Sequence, residues 1–257
     1  MIASWAQDIL RCPETLGKLE SVALGQRRCS DGRYFPDRDG ITSLVYPFQL
    51  AGDDAKMNRL YECLAPIYDA SERIFGQILT GVNMQQGRRK IIDLLPLRPG
   101  MRLLEVSPGP GVFQSILRRA LGGDAEIVSV DLSINMLRQC KKLHASERIE
   151  LVQANGQHLP FAENSFDALF HFGGINLFND PDQALCEFVR VVRAGGIVSW
   201  GDEEMSANFS YPFARRILPF FNPGFKKIPP SFPDGIVEVT KHVVYDGLGY
   251  LTIATKA

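Results

Sequence analysis

The chain has 257 residues, 45% of them hydrophobic and 22% charged, enough to build one large domain with extras or two small ones around a proper core. Lys and Arg total 28 against 29 Asp and Glu, a formal net charge of -1, so no global field gathers nucleic acid or an anionic membrane. No apolar run reaches the roughly 18 residues of a membrane span, and MIASWAQDIL lacks the basic-then-apolar order of a signal peptide; the expectation is a soluble, cytoplasmic protein.

Residues 1–50 are turn-rich and weakly alternating (LESVALG, RRCSDGRYF, DGITSLVY), which predicts a small appendage of short antiparallel strands rather than helices. The five cysteines, Cys12, Cys29, Cys63, Cys140 and Cys186, are odd in number and scattered. That is no disulfide framework, and reduced thiols are expected. From 53 to 95 the apolar spacing becomes helical, with Met57, Leu60, Leu64 and Ile67, then Ile74, Ile78, Ile91, Leu94 and Leu95, predicting two or three entry helices. Beyond Pro99-Gly100, buried strands (MRLLEVS, EIVSVDL, RIELVQA, SFDALFHF, GGIVSWGD) alternate with helical stretches (VFQSILRRAL, SINMLRQCKKL, PDQALCEFVRVV). This rhythm predicts βαβ units and an α/β doubly wound, mostly parallel sheet. Residues 203–235 break it with prolines and aromatics, predicting an irregular aromatic cap. GIVEVTKHVVY and GYLTIATK, separated by Asp246-Gly247, then form a closing antiparallel hairpin. On this reading 51–257 is one domain with the entry helices and the cap as additions.

The strand Leu103-Leu104-Glu105-Val106 runs into Ser107-Pro108-Gly109-Pro110-Gly111 and at once into an amphipathic helix. This is a ligand loop at the carboxyl end of a first strand, where glycine lets the backbone approach a bound molecule. About twenty residues later Val128-Ser129-Val130-Asp131 ends the second strand on a carboxylate, the position from which an acid accepts ribose hydroxyls. Asn155, twenty-four residues beyond Asp131, ends the third strand with a side chain able to pair with an adenine edge.

LLEVSPGPGVF, VSVDLSINML, VQANGQHLPFAENSFDALF and DPDQALCEFVRVVRAGGIVSWGDE, in this order across roughly 100–202, resemble the class I S-adenosylmethionine-dependent methyltransferases in their small-molecule branch. The resemblance implies a seven-stranded Rossmann-like sheet and S-adenosyl-L-methionine as cofactor. Glu105 and Ser107, Gly109 and Gly111 would cradle its methionine end, and Asp131 its ribose. Leu132 and Met136 would border the adenine, with Asn155 and Gly156 reading its edge and Phe172 near the cofactor at the end of the fourth strand. Ser107 replaces the family's first loop glycine and Asn155 its third-strand acid, so the loop is stiffer and an amide makes the adenine contact. NRLYECLAPIYDASERIFG is similar to the entry helices of the quinone-biosynthesis C-methyltransferases, which would lay Tyr68 and Asp69 over the cofactor.

Cys12-Pro13-Glu14-Thr15 and Cys29-Ser30-Asp31-Gly32 look like a zinc ribbon that has lost a ligand from each half. Zinc needs four ligands, so the expectation is a metal-free relic, with a partner chain or a Cys12–Cys29 disulfide left open. In the fourth strand His171 is the best-placed titratable side chain for a general base, should the acceptor need to lose a proton. The strand lacks the Asn/Asp-Pro-Pro-Tyr motif of nucleobase-amine methylation. In the cap, Arg215 and Phe220 suit a flat apolar acceptor carrying a carboxylate or phenolate, and its aromatics also suit a homodimer contact. The leading reading is methyl transfer to oxygen or carbon of a small, largely apolar or aromatic metabolite. Its rivals are a ribosomal RNA guanine methyltransferase, disfavoured by near-zero charge, and a non-catalytic protein that binds S-adenosylmethionine.

Overall fold

The computed structural model describes residues 2–22, 26–65, 83–123, 125–146, 149–206 and 229–257. The chain opens with a short helix, Ser4–Ile9 (α1), where strands were expected. The reason is local burial: Ala6 is fully buried and packs with Ile2 and Leu10, a helical spacing of four. Glu20–Ser21 (β1), Arg27–Arg28 (β2) and Tyr34–Phe35 (β3) form a small antiparallel sheet. Cys12 and Cys29 are joined as a disulfide with their Cα atoms 5.9 Å apart, which corrects the expectation of reduced thiols at these two positions. Among the described residues no group of three or more His, Cys, Asp or Glu is arranged to hold a metal.

Asp37–Arg38 (β4) and Ile41–Ser43 (β5) do not stay with the small sheet. β5 pairs in parallel with Glu150–Gln153 (β8), Thr42 opposite Val152 and Ser43 opposite Gln153, so the N-terminal segment extends the main sheet. Asp39 fastens the same segment to the helix Ile134–Leu143, since Arg138 Nη2 lies 2.6 Å from its carboxylate and Lys141 Nζ donates to its carbonyl at 2.6 Å. Gly52–Leu64 (α2) and Met84–Leu94 (α3) are the described parts of the entry region.

The remaining strands are Leu103–Val106 (β6), Ile127–Asp131 (β7), Phe166–Phe172 (β9), Val192–Glu203 (β10), Ile236–Val244 (β11) and Gly249–Lys256 (β12). The helices between them are Gln114–Leu121 (α4), Ile134–Leu143 (α5) and Pro181–Val191 (α6). The sheet runs β11-β12-β10-β9-β6-β7-β8-β5-β4. Seven of these nine strands are the predicted ones, and the other two come from the N-terminal segment. β6 pairs in parallel with both β7 and β9, so the strand order reverses there. That switch point opens the crevice in which ligands of such sheets bind.

Strand alternation sorts the core. On one face Leu103, Phe170, Leu251 and Ile253 pack against Ile91 and Ile92 of α3 and Leu117 and Leu121 of α4. On the other, Val106, Val130, Trp200 and Tyr250 pack with Phe188 of α6 and with Ala6 and Leu10 of the N-terminal segment. Asn83, Ser133 and Asp180 cap α3, α5 and α6, their side chains accepting from the backbone N–H three residues on.

Candidate active site

From β6 the chain turns through Ser107–Gly111 into α4. Ser107 has φ 59°, a left-handed conformation that costs a serine what glycine adopts freely. At Gly109 (φ +55°) a Cβ would meet nothing within 4 Å, so this backbone is open to close approach. Gly111 serves packing instead: a Cβ there would lie 2.8 Å from Cys140 Sγ and from the His144 ring of α5.

Asp131, at the carboxyl end of β7, accepts from Gly109 N at 3.1 Å and Ser133 N at 2.9 Å. Its position ties the glycine loop to the start of α5. Burial pushes its carboxyl up to about 6, with the nearby Glu62 carboxylate adding to the rise against the backbone hydrogen bonds that lower it. Glu62, from α2, accepts from Ser133 Oγ at 2.9 Å and Asn135 N at 3.3 Å. Glu105 turns inward: it accepts from Gln114 Nε2 and, at 3.0 Å, from Ser129 Oγ. Desolvation raises it to about 8, so it is largely protonated at neutral pH.

The side expected to face adenine is organised by a helix the motifs do not contain. Asp54 of α2, buried, accepts from Asn155 Nδ2 (3.1 Å), Gln157 Nε2 (2.7 Å) and Asn179 N (3.0 Å). Asn155 Oδ1 also accepts from Gln157 N at 3.0 Å, so the amide expected to read adenine is engaged within the protein in this conformation. The Leu132 carbonyl is held by Gln153 Nε2 at 3.0 Å, and Gln153 Oε1 in turn accepts from Ser43 Oγ at 2.8 Å. Met136 is buried in α5. Gly156 lies under Phe178, whose ring a Cβ would approach to 2.9 Å.

His171 is fully buried, between Phe178 and Phe188 at ring distances of 5.6 Å each. Its Nδ1 lies 3.0 Å from the Val106 carbonyl and therefore carries the proton; burial lowers the imidazole to about 4, against a raising effect of Asp202. The ring is thus neutral, with Nε2 bare. Phe172 faces the opposite side of the sheet, against Phe113 and Tyr245. Tyr68, Arg215 and Phe220 lie outside the described residues.

Asp54, Glu62, Gln114 and Asp202 escaped the motif reading. A signal existed for two of them: Asp54 lies in the first turn of a helix that starts on Gly52, and Asp202 follows the mostly apolar run Ile197–Gly201 near the end of β10. Glu62 and Gln114 sit at ordinary helical positions with no distinguishing context.

Residues 104–199, from β6 to β10, match the family model described as a methyltransferase domain. The demethylmenaquinone methyltransferase of Renibacterium salmoninarum is 30% identical over 153 residues, covering 60% of this chain and 58% of that one. The ubiquinone/menaquinone biosynthesis C-methyltransferase of Haemophilus ducreyi is 34% identical over 113 residues, covering 42% and 44%. The chain thus spans about half the length of these curated relatives. Among solved structures, Haemonchus contortus phosphoethanolamine N-methyltransferase 2 with S-adenosyl-L-methionine superposes with a TM-score of 0.60 at 16% identity, covering 82% of this chain and 61% of that one. An S-adenosylmethionine-dependent methyltransferase of Aquifex aeolicus gives 0.53 at 16%, covering 80% and 100%. These two likenesses establish the fold, and the open backbone at Gly109 beside the Asp131 carboxylate fits the cofactor's methionine and ribose ends. Residues 104–199 therefore match a methyltransferase domain and lie on a sheet with the fold of these S-adenosylmethionine-dependent methyltransferases.

Proposed function

We propose that this protein methylates a carbon of a small hydroxylated aromatic metabolite of the quinol type. The carrying observation is the sequence likeness to two quinone-biosynthesis methyltransferases at 30% and 34% identity. The expected acceptor chemistry, oxygen or carbon of a small apolar or aromatic metabolite, narrows accordingly.

In this reading the Ser107–Gly111 backbone holds the amino-acid end of the cofactor, Asp131 accepts from both ribose hydroxyls, and Leu132 covers the adenine. The bound cofactor supplies a methyl group on a cationic sulfur, and its transfer to a ring carbon breaks that carbon–sulfur bond as the carbon–carbon bond forms, leaving S-adenosylhomocysteine and releasing one ring proton to water. The chain contributes alignment of the reacting carbon and exclusion of water more than acid–base chemistry. A histidine held neutral inside the sheet suits that division of labour, because an electron-rich quinol carbon is already nucleophilic.

The test is transfer of labelled methyl from S-adenosylmethionine to 1,4-naphthohydroquinone, with the product identified by mass and by the position of the label. A ring-methylated product supports the proposal. Cofactor binding without transfer to any quinol or phenol would leave a non-catalytic binding protein.

A further inference from the structure

A second cluster of polar groups lies at the carboxyl ends of β9 and β10, on the face that carries Trp200 and Phe188. Its centre is Asp202, fully buried, which accepts from Gly174 N at 3.0 Å, Glu203 N at 2.8 Å and Asn176 N at 2.7 Å. Three further side chains stand around it. Asn176, 1% exposed, has neither its amide oxygen nor its amide nitrogen hydrogen-bonded among the described residues. Tyr250, 1% exposed, lies opposite Asp202 in the β10–β12 ladder, and its hydroxyl has no hydrogen-bond partner among them either. His171 lies opposite Trp200, and its Nε2 is likewise without a partner.

Burying one such group costs on the order of 1–3 kcal/mol, and folded proteins leave few of them. Three around one carboxylate are expensive for a structural purpose. They are what a recognition site looks like when its donors and acceptors are built for a ligand. Position agrees: His171 Nδ1 holds the carbonyl of Val106, the residue just before the glycine loop, so the cluster adjoins the methionine end of the cofactor site. Phe178, Phe188 and Trp200 give it aromatic walls.

We propose that Asn176, Tyr250 and His171 form the polar subsite that orients the methyl acceptor, reading the two oxygens of a dihydroxylated aromatic ring. This rests on the quinol reading above. The Asn176 amide both donates to and accepts from one ring hydroxyl, the Tyr250 hydroxyl meets the second, and the bare His171 Nε2 accepts a hydroxyl hydrogen. Asp202 is a positioning residue: it holds the backbone of Gly174 and Asn176 and does not touch the ring.

A structural role and a binding role predict opposite pairs of effects. Asn176→Leu and Tyr250→Phe keep shape and delete only the unpaired polar atoms, so both variants should melt at or above the wild-type temperature. The KM for 1,4-naphthohydroquinone should rise at least tenfold in each, while the Kd for S-adenosylhomocysteine stays within twofold. An unchanged quinol KM in both variants overturns the subsite, and so does a rise matched by an equal loss of S-adenosylhomocysteine binding, which signals general damage. A wild-type protein that neither binds nor methylates 1,4-naphthohydroquinone fails differently: it removes the proposed substrate class and with it this reading of the ring.

Discussion

Asp54 of the entry helix and Asn155 of the third-strand loop share a hydrogen bond of 3.1 Å, and both are buried. The same carboxylate takes Gln157 Nε2 and Asn179 N, so one side chain joins α2 to the loops that follow β8 and β9. Asp54→Ala would leave two buried side-chain donors and the Asn179 N–H without that acceptor, and the expected cost is roughly 2–3 kcal/mol. Because Asn155 is the side chain expected to face adenine, binding of S-adenosylhomocysteine should weaken as well. Chemical denaturation and calorimetry check both; wild-type stability in the variant would show that the loops hold themselves.

The proposed ribose contact of Asp131 predicts a pH limit on cofactor binding. Its carboxyl, raised to about 6 by burial and by Glu62, must be ionised to accept ribose hydroxyls. The Kd for S-adenosylhomocysteine should be flat above about pH 7 and rise nearly tenfold for each unit below about pH 6. Folding responds in the opposite sense: for an acid raised in the folded state, the stability it contributes is complete below its unfolded value near 4 and is lost as pH rises through 6. Glu62→Gln removes the like charge and should shift the binding break to lower pH. Asp131→Ala should cost roughly 2 kcal/mol of binding at pH 7.5. A pH-independent Kd between 5 and 8 would exclude Asp131 from the ribose contact.

The alternation of buried runs with amphipathic segments made the parallel sheet legible, and the Asp246-Gly247 turn marked the closing hairpin. The pairing of β5 with β8 was not legible, because Ile41-Thr42-Ser43 is too short to reveal its partner and the contact joins residues 110 positions apart. The placement of the Ser107–Gly111 loop after β6 and of Asp131 at the end of β7 followed from motif spacing. The inward turn of Glu105 did not, since it depends on Gln114, the first residue of α4, and on Ser129 of the neighbouring strand. Nor did the engagement of Asn155, whose partner lies on a helix 101 residues earlier. Motif spacing carries local geometry, whereas a side chain's direction is decided by partners that the fold brings from far along the chain.

The Cys12–Cys29 disulfide closes a loop with a sequence separation of 17, a length for which cross-linking is worth about 3 kcal/mol. Reduction should lower the melting temperature of wild type and leave Cys12→Ser/Cys29→Ser unchanged. Added zinc should not restore the loss, since two thiolates supply half of a tetrahedral site. Recovery of stability with one zinc per reduced chain would show that further ligands exist.

Glu105 offers the sharpest stability test. Its carboxyl lies between β6, β7 and α4, 1% exposed, with Oε2 hydrogen-bonded and Oε1 without a partner among the described residues. Desolvation raises it from 4.5 to about 8, so folding favours the protonated acid. The stability it contributes is therefore whole below pH 4.5 and drains away as pH climbs through 8, by a few kcal/mol in total. Glu105→Gln keeps the shape and keeps a carbonyl to accept from Gln114 and Ser129, but it never ionises. The variant should match wild type near pH 4.5 and exceed it by roughly 2–4 kcal/mol at pH 8.5, measured by urea unfolding across that range. Parallel stability curves for the two proteins would mean that Glu105 ionises in the folded state at its ordinary value, and that its pocket is open to water.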